Sequence, residues 1–158
     1  MEPKGKKVIV FDIDGTLANS DHREYIINHA ASREEVNWDE YFEASRYDPP
    51  HYEIQWLNHI MAEREDTELI VLTARPSYSR DMTEEWLKQH DIAHSELIMK
   101  DPLPDGSYDK DYIFKEKVLD QLIAQDRKPF MVFEDRQNVV DMWRSRGIKC
   151  LQVQPGDF

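Results

Sequence analysis

Asp12 and Asp14 stand two residues apart, directly behind the apolar run Val8-Ile9-Val10-Phe11, and Gly15 and Thr16 follow them. Four apolar residues in a row read as a buried strand of a parallel sheet, covered on both faces. At this spacing on extended chain the two carboxylates point the same way, and Gly15 lets the backbone turn sharply and approach a ligand. Burying two like charges together is costly unless a proton or a cation relieves them. The residue types and their spacing therefore predict a magnesium site with a reactive carboxylate. Two further apolar runs end in polar residues of the same kind of use. Leu69-Ile70-Val71-Leu72 leads into Thr73 and Arg75. A hydroxyl and a backbone N–H there can hold a phosphoryl oxygen, and a guanidinium can add a bidentate contact. The plainer reading makes Thr73 a strand-end residue and Arg75 a solvated charge before Pro76. Phe130-Met131-Val132-Phe133 leads into Glu134 and Asp135, which with Asp12 and Asp14 complete a hard, oxygen-rich ligand set suited to Mg²⁺.

Helical geometry separates Lys115 from Lys117. In the predicted helix 111–125, Phe114, Val118, Leu119, Leu122 and Ile123 define the apolar side. At 100° per residue Lys115 falls near the middle of that side and Lys117 nearly opposite. A lysine on an apolar face must snorkel or meet a buried anion, so Lys115 is the candidate and Lys117 reads as solvated surface.

These groups need elements that bring them together. Leu97-Ile98-Met99 and Cys150-Leu151-Gln152-Val153 are two shorter strand candidates, and helical patterns at about 77–90, 111–125 and 136–146 separate the runs. Strand alternating with helix predicts an α/β domain with a mainly parallel sheet flanked by helices. Ligands of such sheets sit beyond the carboxyl ends of the strands, where Asp12, Thr73 and Glu134-Asp135 are all placed. Residues 1–158 read as one domain: a core of 1–18 and 66–158, with a helical cap inserted at about 19–65, too long for a plain crossover. Within the cap, helical patterns near 21–31, 37–46 and 52–63 are broken by Pro49-Pro50. Trp38, Tyr41, Phe42 and Ser45 recur at helical spacing and are expected to pack on the main body. Tyr47, Tyr52 and Trp56 are expected to pack as well, their alternative being to stack on a nucleobase. Segment 101–110, with Pro102, Pro104 and Asp105-Gly106, is a turn-rich loop.

Composition narrows the partners. The chain has 158 residues, 33% of them charged, and a formal net charge of −12. A groove tracking many phosphates needs a basic surface, so extended nucleic-acid binding is disfavoured, while a small phosphorylated substrate or the end of a strand remains open. No apolar stretch approaches the roughly 20 residues that span a bilayer, and the basic start Met1–Lys7 lacks the apolar region of a signal peptide. Cys150 is the one cysteine, so no internal disulfide is possible and a reducing cytoplasm fits best. His22, His29, His51, His59, His90 and His94 show no paired metal spacing.

The order Asp12-Ile13-Asp14-Gly15-Thr16, Thr73, Lys115, Glu134-Asp135 resembles the haloacid dehalogenase (HAD) superfamily of phosphohydrolases, with its Rossmann-like fold. The resemblance implies that Asp12 is a nucleophile forming an aspartyl-phosphate, and that Asp14 protonates the leaving oxygen and then activates water. It makes Lys115 the compensator of nucleophile and phosphate charge. Around Mg²⁺ it implies direct ligation by Asp135, a backbone carbonyl from Asp14, and Glu134 acting through a water. Glu134 stands where the superfamily usually has Asp. Phe133-Glu134-Asp135-Arg136, Val139-Val140-Asp141-Met142-Trp143-Arg144, Thr83-Glu84-Glu85-Trp86 and the stretch Gln152–Phe158 are similar to the 3′-phosphatase domain of bacteriophage-type polynucleotide kinase. That similarity implies removal of 3′-phosphates from nucleic-acid ends, and fits a phage origin. A GxxxxGK[ST] loop does not occur in the sequence, so the kinase half is expected to be absent from this chain. Two alternatives stand beside this reading: a 5′-nucleotidase acting on mononucleotides, favoured by the acidic charge, and a receiver-type phosphoacceptor domain. A receiver, however, carries its acidic pair after the first strand and has no cap.

Overall fold

Along each strand, successive side chains point to opposite faces, and two apolar clusters collect them. On β1 (Lys7–Phe11), Val8 and Val10 enter one cluster and Ile9 and Phe11 the other. The structure is a computed structural model and describes residues 5–158; residues 1–4, the first part of the basic start, lie outside the described residues. β2 (Thr67–Pro76), β3 (Glu96–Lys100), β4 (Pro129–Glu134) and β5 (Cys150–Gln152) complete one sheet in the order β3-β2-β1-β4-β5, every pair parallel. The predicted mainly parallel, helix-flanked α/β fold is the observed one.

The helices divide between the two faces. α5 (Asp111–Ala124) and α6 (Gln137–Ser145) cover one with Val118, Leu119, Leu122, Val139, Val140 and Trp143. α4 (Arg80–Gln89) covers the other with Trp86 and Leu87, joined by Ile54, Leu57 and Met61 of α3 (Tyr52–Ala62). Because the chain moves from β1 to β2 on one side and later returns to β4 on the other, the strand order reverses at β1. The crevice of such a sheet lies at that reversal, at the carboxyl ends of the strands.

Between β1 and β2, α1 (Glu24–Asn28), α2 (Trp38–Ala44) and short 3₁₀ turns precede α3. The chain leaves and re-enters side by side: Asn19 N–H donates to the Pro49 carbonyl at 2.8 Å and His51 N–H to the Leu17 carbonyl at 2.7 Å. Although the expected cap span includes α3, this helix lies on the sheet. Asn58, fully buried, exchanges hydrogen bonds with the Ala93 backbone at 3.0 and 2.8 Å, while Gln55 donates to the His90 carbonyl at 2.8 Å.

Three expectations need correction. Tyr47, Tyr52 and Trp56 do not pack; they are 77%, 67% and 63% exposed. The inward side of α3 is already filled by Ile54, Leu57, Asn58 and Met61, which turns the i, i+4 pair Tyr52 and Trp56 outward. Phe130 is likewise exposed rather than buried within its apolar run, with the Lys7 ammonium 5.8 Å from its ring centroid. Finally, β2 does not end at Thr73 but runs on to Pro76, and its pairing with β3 shifts register between Leu72 and Pro76. Thr73 and Arg75 therefore sit on extended chain where the ladder is interrupted.

Leu119 is fully buried between α5 and the sheet. Leu119→Ala is expected to lower unfolding stability by about 2–5 kcal/mol, read as a fall in the urea midpoint at unchanged slope.

Candidate active site

Asp12 is the first residue beyond β1, and its N–H donates to the Phe133 carbonyl of β4 at 3.1 Å. Its carboxylate is buried: Oδ1 accepts from Lys115 Nζ at 2.8 Å and Oδ2 from Thr16 Oγ1 at 3.2 Å. The same ammonium donates to Glu134 Oε2 at 2.7 Å. α5 thus delivers Lys115 from its apolar side into the crevice, whereas Lys117 pairs with Asp109 at the surface. The other Glu134 oxygen accepts from the Asp135 N–H at 3.2 Å, so both ends of this side chain are engaged.

Asp12, Glu134 and Asp135 each offer a carboxylate oxygen within 4.8 Å of one another, and all three are buried. Of these three buried carboxylates, Asp12 and Glu134 pair with the Lys115 ammonium. Burial, then the Glu134 charge, pushes the Asp12 carboxyl well above the usual range, with Lys115 offsetting part of this. The same two causes push Asp135 up to about 7. Burial alone would lower Lys115, but Asp12 and Glu134 outweigh it and keep the ammonium charged. Excess negative charge on hard oxygen donors fits a divalent cation of the Mg²⁺ type. The backbone leaves room for this packing at Gly15, whose φ is +82°. A Cβ built there would lie 2.0 Å from Asp135 Oδ2.

The Asp14 carboxylate is not in that cluster. The strand ends at Phe11 and the chain turns at Gly15, so the alternation that would aim Asp12 and Asp14 together no longer holds. Asp14 instead meets two guanidiniums: Arg75 donates through Nε at 2.9 Å and Nη2 at 2.6 Å, and Arg23 through Nη2 at 2.5 Å. Burial would raise its pKa, but Arg75 and Arg23 outweigh it and hold the carboxyl far below the usual range. Arg75 is buried rather than solvated, and its N–H donates to Thr73 Oγ1 at 3.2 Å. Thr73, Arg75, Lys115 and the four acidic residues therefore meet at one end of the sheet, while Tyr47, Tyr52 and Trp56 lie on the outer surface.

Two members of this network were not anticipated. Arg23, fully buried, grips Asp48 in bidentate fashion, with Nε–Oδ1 at 2.9 Å and Nη2–Oδ2 at 2.7 Å. Its Cζ lies 4.3 Å from the centroid of the Tyr41 ring, a cation–π geometry. Burial and the Asp14 charge push the Tyr41 phenol up to about 12. Asp48 also meets His22 Nε2 at 2.7 Å, and its carbonyl accepts from Trp86 Nε1 at 2.9 Å. Arg23 carried the same signal that selects Lys115, a cation three residues from the buried Ile26 on a helical face. Asp48 carried none.

The family profile for the polynucleotide kinase PNKP phosphatase domain, a HAD family, matches residues 6–158. The chain belongs to this family. It is a HAD-type phosphatase, which excludes the receiver reading. A structure of the Pnkp1/Rnl/Hen1 RNA repair complex superposes with a TM-score of 0.78 at 25% identity, covering 99% of this chain and 45% of that one. A second Pnkp1/Rnl/Hen1 complex gives 0.78 at 26% identity, with 99% and 49% covered. The chain thus spans less than half the length of these relatives. A haloacid dehalogenase-like family hydrolase from Streptococcus pneumoniae, at 15% identity and a TM-score of 0.63, shares the fold over 93% of this chain and 84% of its own. Among the described residues of this HAD phosphatase, no helix is long and apolar enough to cross a membrane.

With its carboxyl at about 7 in the fold against about 3.9 in the unfolded chain, Asp135 binds more protons folded than unfolded across that interval. Stability of the metal-free protein then falls as pH rises through it. In EDTA, the Tm of Asp135→Asn is expected to fall less than that of the wild type between about pH 5 and about pH 8. Equal slopes in the two melting series would contradict this assignment.

Proposed function

We propose that this HAD phosphatase is a Mg²⁺-dependent phosphomonoesterase that removes 3′-phosphates from nucleic-acid ends through an aspartyl-phosphate on Asp12. The observation that carries the reading is the division of labour between neighbours. Asp12 lies among Lys115, Glu134 and Asp135, and Asp14 lies against Arg23 and Arg75. Adjacent carboxylates with pKa values driven in opposite directions take different roles.

In this reading an Asp12 oxygen attacks phosphorus and the bond to the 3′-oxygen breaks, with Asp14 protonating the departing oxygen. Asp14 then takes a proton from water as the water attacks the aspartyl-phosphate, which releases inorganic phosphate and restores Asp12. A guanidinium pair on Asp14 favours its carboxylate form. The incoming phosphate dianion competes for Arg23 and Arg75, and as they turn to it the carboxyl regains the proton it must donate. Thr73 and Lys115 hold the remaining phosphoryl oxygens. Asp12, Asp135 and the Asp14 backbone carbonyl would hold Mg²⁺, with Glu134 acting through a water. When bound, the ion offsets the repulsion between a carboxylate nucleophile and a phosphate dianion.

Membership in the PNKP phosphatase family supports the 3′-phosphate, and the likeness to Pnkp1 of an RNA repair complex supports a nucleic-acid end as its bearer. Residues 20–48 act in this reading as the cap, bringing Arg23 and Asp48 over the strand ends. A substrate engaged only at its end agrees with the net charge of −12. Tyr47, Tyr52 and Trp56 remain candidates for stacking on a base of the substrate, and the single buried thiol, Cys150, suits a reducing cytoplasm. The same net charge favours a second reading, a 5′-nucleotidase acting on mononucleotides.

Phosphate release from a 3′-phosphorylated oligonucleotide is expected to exceed that from a panel of 5′-nucleoside monophosphates at equal concentration. Equal or better turnover of the monophosphates would replace the first reading by the second. Asp12→Asn is expected to keep the fold and lower kcat on either substrate by ~10⁴-fold or more; appreciable residual turnover would show that another residue is the nucleophile.

A further inference from the structure

Asp135 is confined from two sides, and both walls are glycines. Gly15 faces its carboxylate. Gly156, in the segment that follows β5, faces its backbone: a Cβ built there would lie 2.4 Å from the Asp135 carbonyl oxygen, 2.8 Å from its carbonyl carbon and 3.0 Å from Arg136 Cα. Backbone conformation does not demand glycine here, since position 156 lacks the positive φ of Gly15. What demands it is the approach of one stretch of chain to another.

Segment 152–158 also bonds to each residue of the turn from Glu134 to Gln137. Val153 N–H donates to the Glu134 carbonyl at 3.0 Å, and Gln152 Nε2 donates to the Asp135 carbonyl at 3.0 Å and to Gln137 Oε1 at 3.0 Å. Arg136 Nε donates to the Phe158 carbonyl at 2.7 Å, with Cζ 5.1 Å from the Phe158 ring centroid. Gln137 N–H donates to the Gly156 carbonyl at 2.8 Å, at the opening of α6. Without this segment, several peptide groups between β4 and α6 would lose the partners described here.

We propose that Gly156 and Gln152 are positioning residues: segment 152–158 is a template that fixes the backbone of Asp135, and so the place of its carboxylate beside Asp12 and Glu134. The proposal rests on the reading of Asp135 as a ligand of a divalent cation. Neither residue touches substrate or cation; each acts through the Asp135 peptide, as outer-shell partners do at metal sites. Gly156→Ala inserts a methyl group against that peptide and shifts the carboxylate, while Gln152→Leu removes the hydrogen bonds to the Asp135 carbonyl and to Gln137 Oε1 at similar size.

The test is direct cation binding to the full chain, with Mn²⁺ followed by electron paramagnetic resonance and Mg²⁺ by calorimetry, well below each variant's Tm. The wild type is expected to bind one ion that Asp135→Asn loses. Gly156→Ala is expected to weaken it by ~10-fold to ~100-fold, and Gln152→Leu by several-fold, in solutions where circular dichroism shows native fold. Wild-type affinity in a folded Gly156→Ala, or in Gln152→Leu should Gly156→Ala fail to fold, would overturn the proposal and leave both residues with a role in stability alone. Failure of the wild type to bind any ion that depends on Asp135 would instead overturn the cation reading of the site. A lowered Tm with unchanged affinity counts against the template, because a purely structural role moves the first and not the second.

Discussion

Three buried carboxylates around one buried ammonium set the terms for the rest of this molecule. Asp12 and Glu134 accept from Lys115, the Asp135 N–H donates to Glu134, and all three acids are buried away from water. In such a place a like-charge excess raises the energy of the ionised state, and only a stiff, well-packed frame keeps the groups from moving apart. The parallel sheet supplies it. Asp12 and Glu134 are held by neighbouring strands β1 and β4, in register at Phe11 and Phe133, and α5 is pinned to the same sheet by Val118, Leu119 and Leu122.

The second electrostatic unit is balanced where the first carries an excess of negative charge. Arg23 and Arg75 face Asp14 and Asp48, two cations to two anions, in a group that is closed over the strand ends. Removing either guanidinium leaves a carboxylate with half its partners, a costlier change than losing the whole pair. The two units lie two residues apart in sequence, at Asp12 and Asp14, and the end of β1 at Phe11 lets their side chains part. In the proposed function the first unit would take the cation, and the guanidiniums of the second would turn from their carboxylates to the phosphate dianion.

The strands, the helices on the two faces and the convergence of Asp12, Thr73 and Glu134-Asp135 were legible in the sequence because burial on both faces imposes unbroken apolar runs, and parallel connection imposes helices between them. Lys115 was legible because a helix has a computable apolar side. What escaped were interactions set by tertiary geometry alone. The separate fates of the Asp12 and Asp14 carboxylates follow from a strand that stops at Phe11. The exposure of Tyr52 and Trp56 follows from α3 having chosen Ile54, Leu57 and Asn58 for its inward side; an aromatic residue on an amphipathic helix fits either face. Asp48 is a lone acidic residue before two prolines until Arg23 folds onto it.

Charge distribution then bears on what the site can hold. The chain's formal charge is −12, yet Arg23, Arg75 and Lys115 are turned inward at one end of the sheet, each buried and each against a carboxylate. Further out, Arg46 pairs with Glu43 and Glu85, and the cleft along α4 is lined by Asp81, Glu84 and Glu85 beside Lys88. In the proposed function attraction for phosphate is short-ranged: outside the crevice the acidic surface repels an extended polyanion, and inside it Arg23, Arg75 and Lys115, together with the bound cation, would offset the carboxylates. On the proposed reading this selects by exposure of the phosphate. A terminal phosphate reaches the buried cations with one nucleotide at the mouth, whereas an internal phosphodiester would have to bring both flanking strands against an acidic surface.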